Sequence, residues 1–412
     1  MLKNYFKIAI AVLKRRKFFT FISLFGISIT LTILMVLIAF VDYLVGTTYP
    51  DYKRSRSLYV NILKQQDSKH QGASTGPISF YFLNTYVSTL KTPEKVAIGS
   101  IFRATNTYIR DKKLTLDLKY TNAAFWDVLD FKFLEGKPYN DAQIQRGELV
   151  AVITEKARRE YFGNESSVVG KYIETDNIKY RVAGVVKGTA ITQIIAYADI
   201  FVPYTLPKSN YQSKSFMGSY SAVILARSPS DIPKIQQEFR DVVKKIPMEG
   251  REFDQLYCEA DKYLEGFTRL LFGDSDDSGK GTFLLIIILF VTIFMLLPTL
   301  NLVNINISRI LERASEIGVR KAFGASTKKL VLQFIIENII LTLLGGLIAV
   351  ILSLILIYVL NSSGWIPNLA LSLNVTVLLI ALCMCLVFGF ISGVYPAWRM
   401  SRMQVVEALK SA

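Results

Sequence analysis

NIILTLLGGLIAVILSLILIYVLNSSGWIPNLALSLNVTVLLIALCMCLVFGFISGVYPAW, from Asn338 to Trp398, is a run of 61 residues without one charged side chain. Only the breaker-rich segment NSSGWIPN, Asn361–Asn368, interrupts it. A helix needs about 20 apolar residues to cross a hydrocarbon core of about 30 Å, so the run reads as two crossings joined by a tight polar turn. Two more follow from the same count: Phe18 to Val41 gives 24 uncharged residues and Gly281 to Ser308 gives 28. Four membrane helices are expected, near Phe18–Val41, Phe283–Ile307, Asn338–Leu360 and Leu371–Tyr395. The first is too long for a signal-peptide core and has no small-x-small cleavage site after it, so it reads as a retained anchor. No Asp, Glu, Lys, Arg or His lies inside these spans. Such groups cost at least ~2.5–3.5 kcal/mol at mid-bilayer and mark ion pathways and proton relays. Their absence argues against a proton-driven transporter or an ion pump with its coupling site in this subunit.

Positive charge sets the expected orientation. Residues 1–17 carry six basic groups and no acid, the loop between the second and third helices carries six basic and three acidic residues, and the tail beyond Tyr395 three and one. These segments hold +11 of the net charge of +15. The turn at 361–370 has none. Positive-inside bias therefore puts both termini and the 309–337 loop in the cytoplasm. The long 43–280 segment falls outside. A pI near 9.5 is then a topology signal, and nucleic-acid binding is not expected.

The expected organisation is an α-helical membrane protein with four transmembrane helices in a 1+3 arrangement. A large mixed α/β extracytoplasmic domain is inserted between helices 1 and 2. Its parts are a cytoplasmic amphipathic helix (1–17), helix 1 (18–42), the outside domain (43–280), helix 2 (281–308), a cytoplasmic stalk and coupling loop (309–337), helix 3 (338–360), the turn (361–370), helix 4 (371–396) and a cytoplasmic tail (397–412). The outside segment is long enough to bury its own core. Ser57–Leu63, Ser221–Arg227 and Glu148–Ile153 read as strands, the last leading through Thr154 into an amphipathic helix, Glu155–Phe162, that stops at Gly163-Asn164. Lys171–Thr175 and Lys179–Val186 read as a hairpin around Asp176-Asn177. Ser228-Pro-Ser-Asp231 is a helix-start signal before Ile232–Ile246. Strand–helix alternation without a regular repeat suggests split βαβ units in two subdomains.

Other patterns exclude more than they assign. Cys258 stands alone in the outside domain, so no disulfide forms within it, and Cys383 and Cys385 point to different faces of the fourth helix. One histidine, His70, excludes a His-rich zinc site. Gly273–Gly281 resembles a phosphate loop, but it has five residues between glycines where four are needed, no Ser or Thr after the lysine, and three repelling aspartates. As a calcium loop it fails at Leu285, where a bidentate Glu is required. A solvated joint into the second helix is the simpler reading. Gly389-Phe-Ile-Ser-Gly393 is a GxxxG motif, suited equally to packing within the bundle and to dimerisation. Pro298 frees a carbonyl in the second helix and makes a candidate hinge.

The cytoplasmic segments carry more. Leu2, Phe6, Ala9 and Leu13 share one helical face and Lys3, Lys7 and Lys14 another, as in a helix lying in the inner headgroup layer. In the 309–337 loop, Arg309 and Glu312 are three apart and Glu316 and Arg320 four apart, so ion pairs can brace a helix continuing past the membrane. Gly324 stops it and Ser326 caps the next. A short, stiff, charged element of this kind suits contact with a soluble partner, although a solvated loop fits the periodicity as well.

Glu312-Arg-Ala-Ser-Glu-Ile-Gly-Val-Arg-Lys-Ala-Phe-Gly-Ala-Ser326 resembles the cytoplasmic loop of the FtsX/MacB-like ABC transporter permeases (type VII). The tail from Gly393 through Tyr395-Pro396-Ala397 to Lys410 is similar to that family's ending, with a turn at Pro396 leaving the last helix. Phe125–Gly136, Val152–Lys156, Tyr161–Gly163, Val169–Lys171 and Tyr180–Lys187 resemble its MacB-type periplasmic core domain. The order of these segments along nearly the whole chain is more specific than any one of them.

The resemblance implies the permease subunit of an ABC transporter, with no catalytic, cofactor or metal site of its own. No phosphate loop appears in these 412 residues, so ATP and Mg are expected in a partner ATPase. Two permease copies, or this chain and a paralogue, would pair with two ATPase subunits. Nucleotide-driven motion of the stalks would pass to the outside domain. The expected ATPase contact is Glu312, Arg313, Glu316, Ile317, Gly318, Arg320, Lys321, Gly324 and Ser326; Pro298, Gly389, Gly393 and Pro396 serve helix packing or hinging. The location implied is the bacterial inner membrane. The activity implied first is MacB-like efflux of drugs, peptides or other periplasmic substrates, with a periplasmic adaptor and outer-membrane channel as further partners. Lipoprotein release of the LolC/LolE type and FtsX-like mechanotransmission to a cell-wall hydrolase are the alternatives within the family. Outside it stands a membrane-anchored extracytoplasmic binding or sensor module. A sensor would need a cytoplasmic kinase or cyclase, for which about 30 residues are too few.

Overall fold

The computed structural model describes residues 17–69, 72–109, 112–206, 208–248, 252–273, 277–312 and 327–373, with isolated positions between 319 and 390. It divides into two compact units, Met1–Tyr43 with Leu285–Ser363 and Ala370–Ala412, and Leu44–Leu284 with Gly364–Leu369.

In the first unit, a helix of 29 residues, Lys17–Val45 (α1), packs on a helix of 36 residues, Thr327–Ser362. Both carry stretches long and apolar enough to cross a membrane, Thr20–Val45 and Ile335–Ser362. Ile27, Leu31, Met35, Leu341 and Ala349 form their shared core. Small and hydroxyl residues let the backbones approach: Ser28 Oγ donates to the Gly345 carbonyl at 3.2 Å and Thr32 Oγ1 to that of Ala349 at 3.4 Å. Lys280–Glu312 is also helical, and its backbone runs through Pro298. Most of the expected fourth helix, including Gly389, Gly393 and Pro396, lies outside the described residues. The Asn361 amide accepts from the Leu371 N–H at 3.0 Å and donates to its carbonyl at 2.9 Å, closing the turn between them.

The second unit is built on a ten-stranded sheet and a three-stranded one. Along the chain the strands are β1 (Ser57–Val60), β2 (Leu63–Gln66), β3 (Ala73–Gly76), β4 (Lys95–Ser100), β5 (Arg103–Ile109), β6 (Lys112–Thr121), β7 (Phe133–Gly136), β8 (Val150–Thr154), β9 (Tyr172–Thr175), β10 (Ile178–Val186), β11 (Ile200–Pro203), β12 (Tyr220–Leu225) and β13 (Gln255–Cys258). The large sheet runs β1-β12-β4-β6-β11-β8-β10-β7, with β5 on β6 and β9 on β10; β13-β2-β3 form the small one. The expected Ser57–Leu63 strand is divided at Asn61-Ile62 between the two sheets.

Local chemistry explains the pieces that periodicity identified. Val150–Thr154 is buried throughout; Thr154 then caps the helix Glu155–Phe162 by accepting from the Ala157 N–H, and Gly163 ends it at φ +68°. β10 is parallel to β8 and pairs with it directly, so this is a βαβ unit with adjacent strands and not the split form expected. Asp176 and Asn177 both take positive φ, as a two-residue hairpin turn requires. Ser228 and Asp231 form a capping box ahead of Ile232–Lys244, which buries Ile232, Ile235, Phe239 and Val243 at helical spacing. The division into two subdomains is not found: Leu44–Leu284 is one compact unit. β11 inserts between β6 and β8, and β12 between β1 and β4, so late strands stitch early ones into a continuous sheet.

Candidate functional site

The residues that follow α1 are held by one buried cation. Arg54 is 8 % exposed and follows a chain reversal that brings it back on the helix end. Its Nη1 donates to the carbonyls of Val45, at 3.2 Å, and Gly46, and lies 3.5 Å from that of Leu44. These are acceptors that a helix C-terminus leaves unpaired, where a positive charge is favoured. Nε donates to Asp51 Oδ2 at 3.0 Å, and the same oxygen accepts the Tyr59 hydroxyl at 2.6 Å. Burial works against the Arg54 charge, but the rings and carboxylate around it (Tyr263, Asp51, Tyr59) outweigh that cost and raise its pKa. Burial, with the Asp51 charge, also pushes the Tyr59 hydroxyl well above its ordinary value, so it stays a donor.

The guanidinium also lies over Tyr263, 3.4 Å from the ring centroid. Tyr263 opens the helix Tyr263–Phe272 and meets Tyr59 edge-on at 5.2 Å. Asp261, just before it, exchanges two backbone hydrogen bonds with Tyr59 and holds Arg269 in a bidentate pair at 2.6 and 3.0 Å. Lys280 then pairs with Glu265 at 3.3 Å at the start of the next helix. The segment leaving the first apolar helix is thereby fastened to the segment leading into Lys280–Glu312.

A third element, the 187–196 loop, ties into the same place. The Gln193 amide donates to Thr48 Oγ1 at 2.6 Å, and the Tyr49 hydroxyl to the Lys187 carbonyl at 2.8 Å. Asn368, in the turn, donates through Nδ2 to the Thr189 carbonyl at 3.1 Å, against Gly188. Beneath the loop Lys119, 1 % exposed, donates through Nζ to the carbonyls of Ser100, Ile194 and Ile195 at 2.8, 3.0 and 3.0 Å. Burial lowers its pKa to about 7. Among the described residues no group of three or more His, Cys, Asp or Glu side chains is placed to hold a metal ion. The arrangement offers rigid connection: buried charge, aromatic stacking and paired backbone.

Of the residues expected at the ATPase contact, Glu312 ends the helix Lys280–Glu312, and Arg313, Glu316, Ile317, Gly318, Arg320, Lys321, Gly324 and Ser326 lie outside the described residues. Arg54, Tyr263 and Lys119 were not singled out by their sequence, because none belongs to a recognisable motif.

Residues 20–242 match the family model of the MacB-like periplasmic core domain, and residues 288–405 that of the FtsX-like permease C-terminal region. The chain belongs to the MacB/FtsX-like permease family. Within that family it is 28% identical over 283 residues to the macrolide export ATP-binding/permease protein MacB of Bdellovibrio bacteriovorus, covering 67% of this chain and 41% of that one. It is 24% identical over 286 residues to the pyoverdine export ATP-binding/permease protein PvdT of Pseudomonas syringae pv. syringae, covering 69% and 41%. The chain thus spans well under half the length of these MacB-like relatives. Among solved structures, the extracellular domain of the noncanonic ABC-type transporter YknZ from Gram-positive bacteria aligns at a TM-score of 0.34 and 17% identity, over 45% of this chain and 93% of that one. Membership makes the protein a membrane-integral permease with an extracytoplasmic α/β domain.

Proposed function

We propose that this chain is the non-catalytic permease subunit of an ABC transporter and couples ATP hydrolysis in a partner ATPase to motion of its extracytoplasmic domain. The observation that carries the coupling is the Arg54 joint. One side chain grips the end of α1, the Asp51 carboxylate and the Tyr263 ring of the segment leading into Lys280–Glu312. A buried ion pair costs about 3–5 kcal/mol to break by removing one partner, so the joint favours rigid movement over local yielding. Displacement of either helix would be passed to the domain as a whole.

In this reading the chain crosses the inner membrane four times in the 1+3 order, with both termini cytoplasmic, and works as a dimer with a second copy or a paralogue. ATP and Mg are bound by the partner. Glu312, Arg313, Glu316, Ile317, Gly318, Arg320, Lys321, Gly324 and Ser326 form the contact, and Pro298, Gly389, Gly393 and Pro396 serve packing and hinging. The names of the MacB and PvdT relatives support export as the activity. An adaptor and outer-membrane channel would be further partners.

Affinity purification from native membranes in mild detergent, followed by mass spectrometry, tests the assignment. Recovery of a stoichiometric P-loop ATPase supports it; its absence, under conditions that preserve a control transporter, overturns it. Glu316→Lys is expected to leave insertion intact and abolish transport while hydrolysis continues. Wild-type transport in that variant would remove Glu316 from the contact.

A further inference from the structure

Several large apolar side chains that a soluble domain would bury are exposed around one end of the extracytoplasmic domain. Ile191 and Ile194 are 42 % and 46 % exposed in the 187–196 loop. Leu270, Leu271 and Phe272, at the end of the helix Tyr263–Phe272, are 47 %, 56 % and 45 % exposed, and Trp365 is 84 % exposed in the turn. The loop and the helix are neighbours, since Ile194 and Leu270 line one open pocket. Contiguous apolar surface on a folded domain marks an interaction face.

Chain connectivity says where this face is. The loop is bonded to Thr48, three residues beyond the end of α1, and to Asn368, six residues beyond the end of the helix Thr327–Ser362. Phe272 lies eight residues before the helix that starts at Lys280. Each patch is therefore tethered by a few residues to the end of an apolar helix. Trp at such a position is the side chain preferred at the membrane–water boundary.

We propose that this rim is a membrane-contact surface, with Ile191, Ile194, Leu270, Leu271, Phe272 and Trp365 seated in the headgroup–acyl boundary of the outer leaflet. The domain then rests on the bilayer as well as hanging from it, and tilting it requires withdrawing apolar side chains from lipid. This rests on the apolar helices being membrane-embedded and is independent of any ATPase.

The test uses the full chain in liposomes of phosphatidylcholine and phosphatidylglycerol, with and without phosphatidylcholine brominated on its acyl chains. Ile194→Trp and Leu271→Trp place reporters on the rim. Tyr108→Trp is the reference: Tyr108 is exposed and lies five residues along β5 from Arg103, about 17 Å from the Lys119 end of that hairpin. After subtraction of the parent emission, the rim reporters are expected to lose half or more of their signal to brominated lipid, and the reference to lose none. Rim reporters quenched no more than the reference would overturn the proposal. All three positions are exposed, and either rim variant alone decides the matter if the other fails to fold. Because no nucleotide is involved, failure here leaves the coupling proposal standing, and failure to recover an ATPase leaves this one standing.

Discussion

The Arg54 guanidinium and the Tyr263 ring are stacked 3.4 Å apart, and they join two segments separated by some 200 residues of chain. Desolvated cation–π pairs are worth about 2 kcal/mol, and a fully buried aromatic removed to Ala costs about 3–5 kcal/mol; Tyr263 is half-buried, which puts it at the low end. Tyr263→Ala is expected to destabilise the domain by about 3 kcal/mol, read from denaturant unfolding of the purified protein. Tyr263→Phe keeps the ring and should stay within about 1 kcal/mol of the parent. If the joint transmits motion, Tyr263→Ala in the assembled transporter hydrolyses ATP without transport while Tyr263→Phe keeps both. Equal stability of the Ala and Phe variants would show that the stack carries no load.

Lys119 gives the domain a pH dependence of predictable sign. Burial holds its folded pKa at about 7, well below the ordinary lysine value of about 10.4. Between these two values the unfolded chain binds more protons, so the Lys119 contribution to stability rises with pH at up to about 1.4 kcal/mol per unit. Below pH 7 both states are protonated and the contribution is flat. Lys119→Met should remove the rise between pH 7 and 9.5 and leave the carbonyls of Ser100, Ile194 and Ile195 without their donor, at about 1–3 kcal/mol. Urea unfolding at pH 6.5, 8 and 9.5 reads both effects. A parent protein whose stability does not climb over this range would contradict the lowered pKa.

Periodicity and capping residues made parts of the domain legible in advance. Thr154 with Gly163, Asp176-Asn177, and Ser228 with Asp231 are local signals that need no tertiary context, and each does what its chemistry predicts. The continuity of the ten-stranded sheet was not legible, since nothing local tells β11 and β12 to insert between earlier strands. Lys119 was hidden by its own pattern: in β6 it alternates with Leu116, Leu118 and Tyr120, which reads as a solvent-facing lysine on a half-buried strand. The Ser100 carbonyl of β4 and the 194–195 carbonyls, brought over by the fold, make it an internal anchor. The NSSGWIPN segment read as a tight polar turn, and nothing in that reading tells that Asn368 is bonded to Thr189.

Gly345 decides how closely the first and third apolar stretches approach. A Cβ there would sit 2.7 Å from Ile27 Cγ2. Ile27 is fully buried in the shared core, so it has little room to yield. Gly345→Leu should force the helices apart, break the Ser28–Gly345 and Thr32–Ala349 hydrogen bonds and cost about 2–3 kcal/mol. Cysteines placed at Leu31 and Ala349 and oxidised in native membranes are expected to crosslink in the parent and not in the Gly345→Leu background. Undiminished crosslinking would mean that the approach does not depend on this glycine.

Asn368 is asked for two things at once. Its backbone sits at φ +57°, which non-glycine residues adopt at a cost of roughly 1–2 kcal/mol and which Asn tolerates best, while its side chain holds Thr189. The two demands separate by substitution. Asn368→Gly relieves the backbone and loses the hydrogen bond, worth about 1 kcal/mol. Asn368→Ala loses the bond and tolerates the positive φ less well than Asn, for about 2 kcal/mol in all. Hydrogen exchange at the backbone amides of residues 188–196 should therefore quicken in the order parent, Gly, Ala, because the loop is released from the turn that pins it. If the Gly and Ala variants exchange at the parent rate, the 187–196 loop is held by Gln193, Tyr49 and Lys119 alone.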